Sequence, residues 1–185
     1  MNTSTQKPRA VIVHGWEGSP DGNWFPWAKG ELEARGYSVC VPAMPSPGLP
    51  KNEEWLETLR GVLEEPDDEA VLIGHSLGCA TVIRYAAGLP DHVRLRALVL
   101  VSGFVRPLGN PATDGFFVEP FDFEAAKWQS GRIISIHSNN DPYIAPKEFK
   151  FLKEALDAEE LVMPGAGHIN ADSGYVRLDE LLDFI

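Results

Sequence analysis

Short apolar runs alternate along the chain with longer stretches in which apolar residues recur at helical spacing. The runs end near Gly, Pro, Asn or Asp, as is typical of strands buried on both faces. Six strands are predicted: 10–13, 38–41, 70–73, 97–101, 133–136 and 161–163. Five helices are predicted: 24–35, 52–63, 77–87, 147–156 and 175–184. The alternation predicts an α/β protein of three α/β/α layers, with a mainly parallel six-stranded sheet.

The loops after the strands are the expected place for function, because open parallel sheets bind ligands beyond the carboxyl ends of their strands. One connection, 103–130, is unusually long and rich in Phe and Trp. Such a segment is interpreted either as a lid or wall of a binding site, or as a cover for the sheet edge.

Length and composition favour one globular unit. The 185 residues are 44% hydrophobic and are predicted to form a single domain, 1–185. The formal net charge is -11 without a basic run, so neither nucleic acid nor an anionic membrane surface is an expected partner. No stretch approaches the roughly 20 apolar residues of a membrane helix. We expect neither membrane association nor an export signal.

The two cysteines, Cys40 and Cys79, fall in predicted core segments and lack the paired spacing of a zinc site. Free buried thiols are therefore predicted, which fits a cytoplasmic protein. A phosphate-binding Walker loop, a dinucleotide-binding G-x-G-x-x-G after the first strand and an HExxH helix are all missing from the sequence. No cofactor or metal is expected.

A nucleophile motif stands between the third predicted strand and the helix 77–87. It reads Gly-His-Ser-Leu-Gly over residues 74–78 and places Ser76 on the sharp turn that exposes a nucleophilic hydroxyl. Glycines at both flanks leave room for that turn. The N–H of Leu77, at the start of a helix, is predicted as the first donor to an oxyanion. The alternative is a Gly-Ser turn that only connects strand and helix.

A base and an acid follow in the order Ser, Asp, His that is typical of α/β-hydrolases. His168 lies in a glycine-rich loop after the last predicted strand, and Asp141 follows the strand 133–136. Asp114 and Asp122, in the long connection, are the competing candidates for the acid. Asp141 is favoured by its position directly after a strand.

The loop after the first strand supplies the second predicted oxyanion donor, the backbone N–H of Trp16. Trp16, Trp24 and Trp27 are interpreted either as lining an acyl pocket or as packing a helix on the sheet, and the pattern does not separate the two.

These motifs, together with 11–15, 140–142 and 167–170, resemble those of small serine hydrolases related to retinoblastoma-binding protein nine and the bacterial YdeN-like proteins. The resemblance covers nearly the whole chain. It implies a reduced α/β-hydrolase core without a large cap, with Ser76, Asp141 and His168 as the triad. The animal member is named for a partner-binding L-x-C-x-E motif, which residues 77–81 lack, so that function is not implied.

Two functions follow from these residues. The first is a cofactor-independent serine hydrolase that cleaves small esters or related thioesters and amides through an acyl-enzyme on Ser76, with a small acyl compound as its partner. The second is an interaction protein that keeps the fold without catalysis. The intact Ser, His and Asp favour the hydrolase. Neither the physiological substrate nor the oligomeric state is specified by these patterns.

Overall fold

One parallel sheet forms the centre of the molecule. The computed structural model describes residues 7–64 and 66–185. In these residues the strands are β1 (Arg9–Val13), β2 (Ser38–Cys40), β3 (Val71–His75), β4 (Leu95–Val101), β5 (Ser130–Ser138) and β6 (Glu159–Met163). Their order is β2-β1-β3-β4-β5-β6, and every pairing is parallel. The predicted α/β fold is confirmed, and each predicted strand overlaps an observed one.

Helices connect the strands and cover both faces. The α-helices are α1 (Phe25–Ala34), α2 (Asn52–Val62), α3 (Gly78–Ala87), α4 (Pro111–Asp114), α5 (Phe123–Trp128) and α6 (Pro146–Leu156). Short 3-10 helices span Gly115–Phe117, Ala171–Ser173 and Asp179–Phe184. In the described parts of the chain, none of the helices is both long and apolar enough to cross a membrane.

Alternate residues of the four inner strands, β1, β3, β4 and β5, point into two separate apolar layers, because side chains alternate across a strand. In β1, Val11 and Val13 belong to the layer formed with α2, α3, α5 and α6. Ala10 and Ile12 belong to the layer formed with α1 and the C-terminal segment. The predicted burial on both faces is confirmed for these inner strands and explains their continuous apolar runs. It is wrong for the edge strands β2 and β6, in which Ser38, Glu159 and Glu160 are exposed.

The helix predicted over 175–184 is wrong. Gly174 has a φ of +89° and turns the chain, and regular structure resumes only with the 3-10 helix Asp179–Phe184. Leu178 and Leu181 are fully buried, and Phe184 packs against the same layer. Their spacing of three residues matches the three residues per turn of a 3-10 helix, and the sequence pattern did not distinguish it from an α-helical face.

The long connection 103–130 is packed against the body of the protein. Its Phe104, Phe116 and Phe117 are buried in the apolar layer beside α3 and α6. Arg106 donates to Glu148 of α6 at 2.7 Å, and its guanidinium lies 4.1 Å from the ring centroid of Phe151. The segment therefore packs against α3 and α6 beside the carboxyl ends of the strands.

A second attachment holds the far part of this connection. Arg84 of α3 donates to the carbonyl oxygens of Glu119 and Pro120, and its guanidinium lies 3.8 Å from the ring centroid of Phe121. Arg84 and Arg106 attach the segment to α3 and α6. Among the described residues, the segment therefore belongs to the body of the protein and does not form a separate cap domain.

Candidate active site

Ser76 stands on a strained turn between β3 and α3. Its φ is +54°, in the left-handed region that side chains other than glycine rarely adopt. The Ser76 N–H donates to Val101 O of β4 at 2.9 Å, and Ser76 O accepts from Cys79 N–H at 3.1 Å. The turn is thus held from the strand side and from the helix side, and the Ser76 side chain is partly exposed.

The two glycines of the motif are needed for close backbone packing. A β-carbon on Gly74 would lie 2.6 Å from the Cα of Cys79. A β-carbon on Gly78 would collide with the carbonyl oxygen of Val13 and lie 2.6 Å from that of His14. The N-terminus of α3 therefore packs directly on the end of β1, which brings Ser76 beside the loop that follows β1.

Asp141 and His168 form a hydrogen-bonded pair. His168 Nδ1 lies 2.8 Å from Asp141 Oδ2. The Asp141 side chain is fully buried, and its other oxygen accepts the N–H groups of Tyr143 at 2.9 Å and Ile144 at 3.0 Å. These backbone donors orient the carboxylate toward the imidazole, and the contact favours the tautomer of His168 with its proton on Nδ1.

The backbone of His168 is held from three sides. His75 Nε2 and Ser102 Oγ each lie 3.1 Å from His168 O, and the His168 N–H donates to Ser173 Oγ at 3.2 Å. Because a carbonyl oxygen only accepts, Nε2 of neutral His75 carries the proton. Burial, together with the neighbouring His168, lowers the pKa of His75 to about 3. His75 therefore stays neutral and acts as a donor.

Ser76 and His168 line one cleft of about 650 Å³ at the carboxyl ends of the strands. Among the described residues no hydrogen bond joins Ser76 Oγ to His168. A long serine–histidine distance is common before substrate binds, because these contacts tighten in the complex. Nε2 of His168 is left as the free ring nitrogen on the cleft side of the His168–Asp141 pair.

Two backbone N–H groups beside Ser76 have no hydrogen-bond acceptor among the described residues. They belong to Trp16 and Leu77, the two predicted oxyanion donors. Trp16 lines the cleft, whereas the Leu77 side chain is fully buried, so only its backbone is available to a ligand. A β-carbon on Gly15 would lie 2.8 Å from Ser76 Cβ, which shows how closely the two loops approach.

The walls of the cleft combine apolar side chains with uncharged polar ones and with two acidic residues. Trp16 and Phe104 belong to the apolar part, and Tyr143 stands with its ring centroid 5.0 Å from that of His168. Glu17 and Asp172 contribute carboxylates. In the described chain no lysine or arginine lines the cleft, so an anionic group would find no countercharge there.

The other residues considered from the sequence lie elsewhere. Trp24 is buried and donates from Nε1 to Ile169 O at 3.0 Å, and Trp27 packs against the layer around α1, so of the three tryptophans only Trp16 lines the cleft. Asp122 caps α5 by accepting from Ala125 N–H at 2.9 Å.

Asp114, the other acid considered from the sequence, lies away from the cleft, and both cysteines are free thiols. Asp114 lies in α4 and does not line the cleft. Both cysteines are free thiols, as predicted, but only Cys79 is buried; Cys40, on the edge strand β2, is half-buried. Burial raises the pKa of both thiols. Within residues 7–64 and 66–185, no three His, Cys, Asp or Glu side chains are grouped so as to hold a metal ion.

Sequence reasoning missed several residues that hold the site together. His75 was seen only as part of the motif, and Ser102 and Ser173 carried no signal because isolated serines are common. The run Ser138-Asn139-Asn140 directly before Asp141 was visible as a polar stretch after a strand. Its partners lie more than 20 residues further along the chain, and only the folded structure reveals them.

Comparison with known proteins agrees with this architecture. YdeN of Bacillus subtilis (strain 168), a hydrolase by name, is 31% identical over 179 residues, which are 96% of this chain and 94% of YdeN. Serine hydrolase RBBP9 of Rattus norvegicus is 31% identical over 165 residues, 86% of each chain. The crystal structure of the B. subtilis ydeN product superposes with a TM-score of 0.90 at 30% identity and covers 95% of both chains.

A more distant structure shares the fold alone. Est1E from Butyrivibrio proteoclasticus, with ferulic acid bound, has a TM-score of 0.73 at 15% identity and covers 98% of this chain and 91% of Est1E. The sequence model of the family described as serine hydrolase matches residues 10–185, nearly the whole chain. The chain belongs to this serine hydrolase family.

Proposed function

We propose that Ser76, His168 and Asp141 form the catalytic triad of a carboxylesterase-like serine hydrolase. One observation carries the proposal: His168 shares a cleft with Ser76 while its Nδ1 lies 2.8 Å from the buried carboxylate of Asp141. This arrangement leaves Nε2 to accept the proton of a serine hydroxyl. It assigns nucleophile, base and orienting acid to three different loops at one edge of the sheet.

The reaction has two stages. Ser76 Oγ attacks the ester carbonyl carbon while its proton passes to His168 Nε2, and the resulting oxyanion accepts the N–H groups of Leu77 and Trp16. The C–O bond to the alcohol then breaks, and the alcohol leaves with the proton from His168. Water, deprotonated by His168, attacks the acyl-enzyme, and Ser76 regains the proton as the acid departs.

Asp141 supports both stages without taking the proton. Its carboxylate holds His168 in the tautomer that faces Ser76 and stabilises the imidazolium that forms in each transition state. Full burial of the Asp141 side chain strengthens this interaction, because little water competes for the carboxylate.

The cleft favours uncharged acyl compounds. Its apolar walls include Trp16, Phe104 and Leu108, and its carboxylates are Glu17 and Asp172. A polyanionic thioester would bring its charges toward these carboxylates without a cation to pair with. Small neutral esters are therefore the preferred substrate class, ahead of anionic thioesters.

Free thiols at Cys40 and Cys79 support a cytoplasmic location.

Labelling with a fluorophosphonate probe and hydrolysis of 4-nitrophenyl acetate test the proposal. Wild-type protein and Ser19→Ala, which removes an exposed serine outside the cleft, are expected to be labelled and to turn over equally. Ser76→Ala should lose labelling and about a thousandfold or more of the turnover while its thermal unfolding stays close to wild type. A folded wild-type protein that neither reacts nor hydrolyses would instead support an interaction protein without catalysis.

A further inference from the structure

The loops that carry Asp141 and His168 are joined by hydrogen bonds that involve neither residue's side chain. Three consecutive side chains of the first loop each accept one backbone N–H from three consecutive residues of the second. The bonds are Asn139 Oδ1 with Gly165 N–H at 3.0 Å, Ser138 Oγ with Ala166 N–H at 3.0 Å, and Asn140 Oδ1 with Gly167 N–H at 2.8 Å. We call residues 138–140, with these three bonds, the clasp.

The clasp ends immediately before the reacting pair on both loops. Asn140 is followed by Asp141, and Gly167 is followed by His168. A displacement at the clasp is therefore passed to the carboxylate and the imidazole through a single peptide unit on each side. The strands β5 and β6 are adjacent, but their ladder ends with Ser138 and Met163, so the clasp extends the pairing beyond the sheet.

The hydrogen bonds within the clasp leave little freedom to its central hydroxyl. Ser138 Oγ accepts from Ala166 N–H and from Asn140 N–H at 3.3 Å, and it lies 2.5 Å from Asn140 Oδ1, to which it donates. Ser138 is 1% exposed. Loss of Asn140 would remove the side-chain acceptor of the half-buried Gly167 N–H and one partner of the buried Ser138 hydroxyl.

The second loop needs external support because its backbone is strained directly after His168, at Ile169. Gly167 has a φ of +59° and Ile169 has a φ of +49°. A non-glycine residue in the left-handed region persists only where its surroundings hold it there. Of the contacts that hold this loop, those of the clasp join it directly to the loop of Asp141.

We propose that Ser138, Asn139 and Asn140 are positioning residues that keep His168 against Asp141. The proposal rests on the triad proposed above. None of the three lines the cleft, so they act on the chemical step and not on substrate binding. Their loss is expected to lower kcat and leave KM nearly unchanged.

The test compares Asn140→Ala with Asn140→Asp on 4-nitrophenyl acetate across pH. The alanine variant loses two acceptor bonds, so we expect kcat to fall about ten- to hundredfold and KM to change less than twofold. Its activity midpoint should move to lower pH, since a displaced carboxylate stabilises the imidazolium less well. The aspartate variant keeps both acceptors and should recover much of kcat, with the midpoint moved to higher pH by the added charge.

The control is Asp122→Ala, which removes a side-chain acceptor for a backbone N–H, the cap of α5, away from the cleft. It should lower stability without changing kcat or the pH midpoint. Asn139→Ala removes the exposed bond to Gly165 and should lower kcat and the pH midpoint less than Asn140→Ala does. It tests the proposal by itself if Asn140→Ala does not fold. The proposal would be overturned if the Asn139→Ala and Asn140→Ala proteins that fold kept the wild-type kcat and pH midpoint.

A readout without substrate separates this proposal from the triad itself. The proton on His168 Nδ1 is expected to give a downfield proton resonance while it is hydrogen-bonded to Asp141. The signal should be present in wild type and Asp122→Ala, and should broaden or disappear in Asn140→Ala. If these resonances are observed but wild-type protein hydrolyses no ester, the positioning role of the clasp is supported and the proposed function is rejected. An unchanged resonance in a folded Asn140→Ala protein would reject the clasp.

Discussion

Gly15 packs directly against Ser76: a β-carbon on Gly15 would lie 2.8 Å from Ser76 Cβ and 3.3 Å from Ser76 Oγ. The contact joins the loop after β1, which carries the N–H of Trp16, to the turn that carries the proposed nucleophile. A residue with any side chain at position 15 must therefore displace one of these two loops.

We predict that Gly15→Ala lowers kcat for 4-nitrophenyl acetate about a hundredfold, because a shift of about 1 Å between nucleophile and oxyanion donors is sufficient for such a loss. Gly30→Ala is the control, since a β-carbon there meets nothing within 4 Å and lies inside α1. The control should keep full activity and gain about 0.5–1 kcal/mol of unfolding free energy. Unchanged kcat in Gly15→Ala would show that the two loops yield without cost to catalysis.

Asp141→Asn is expected to lower turnover on the order of ten-thousandfold. The asparagine oxygen can still accept from Tyr143 and Ile144, so its amide N–H₂ would face His168 Nδ1 and favour the tautomer with the proton on the wrong nitrogen. Asp114→Asn and Asp122→Asn should remain close to wild type. Steady-state kinetics of the three variants on one ester gives the ranking, and a greater loss in either loop variant would assign the acid elsewhere.

The pH profile should show one rise in kcat/KM with pH, near neutrality, because the base must be neutral to accept the Ser76 proton. Burial lowers the pKa of His75 to about 3, so His75 does not account for a step near pH 7. We assign the step to His168. His168→Ala should remove the step together with the activity, whereas a variant that keeps the wild-type profile would point to another group.

The stability of the fold should also depend on pH through His75. In the unfolded chain His75 has its ordinary pKa of 6.5, and in the folded protein the pKa is about 3. Above pH 6.5 neither state binds the proton; as pH falls below 6.5 the unfolded state takes it up first, and stability is lost down to about pH 3.

Urea unfolding of wild type and His75→Gln at pH 7.5 and 5.0 measures this effect. Wild type should lose about 2 kcal/mol more than His75→Gln between these values, since each pH unit below the unfolded pKa contributes about 1.4 kcal/mol. His14 has the same sign but is present in both proteins, so the difference isolates His75. If the two proteins lost the same free energy of unfolding, His75 would take up a proton in the folded protein as readily as in the unfolded chain.

Charge in the cleft should discriminate between esters. We expect a neutral 4-nitrophenyl butyrate to exceed the anionic 4-nitrophenyl hemisuccinate in kcat/KM by about tenfold at low ionic strength, because Glu17 and Asp172 repel the second. The double variant Glu17→Gln, Asp172→Asn should narrow the ratio, and salt should narrow it in wild type. Glu33→Gln, on the exposed side of α1, should leave the ratio unchanged. Equal rates for the two esters in wild type would contradict this account.

Much of the fold could be predicted because its four inner strands are buried on both faces and all six strands are separated by turn residues. The prediction of secondary structure was poorest for helices that are short or of the 3-10 type, because apolar spacing does not identify them clearly. The C-terminal segment, with Leu178 and Leu181 at 3-10 spacing, was predicted as an α-helix, and the short helices α4 and α5 inside 103–130 were not predicted. Short helices carry little periodicity, and α5 is stabilised by its packing against α3 and α6.

By itself the sequence determined the α/β class and the three loops that carry Ser76, Asp141 and His168. Parallel strands bring their carboxyl ends to one edge, and the glycines around Ser76 leave room for a tight turn. The catalytic roles of the three residues remain predictions. Tertiary structure alone decided which acid meets His168, which tryptophan lines the cleft, and which polar residues join the two loops. These contacts link residues far apart in sequence, and their distances depend on side chains that only the packed fold brings within hydrogen-bonding range.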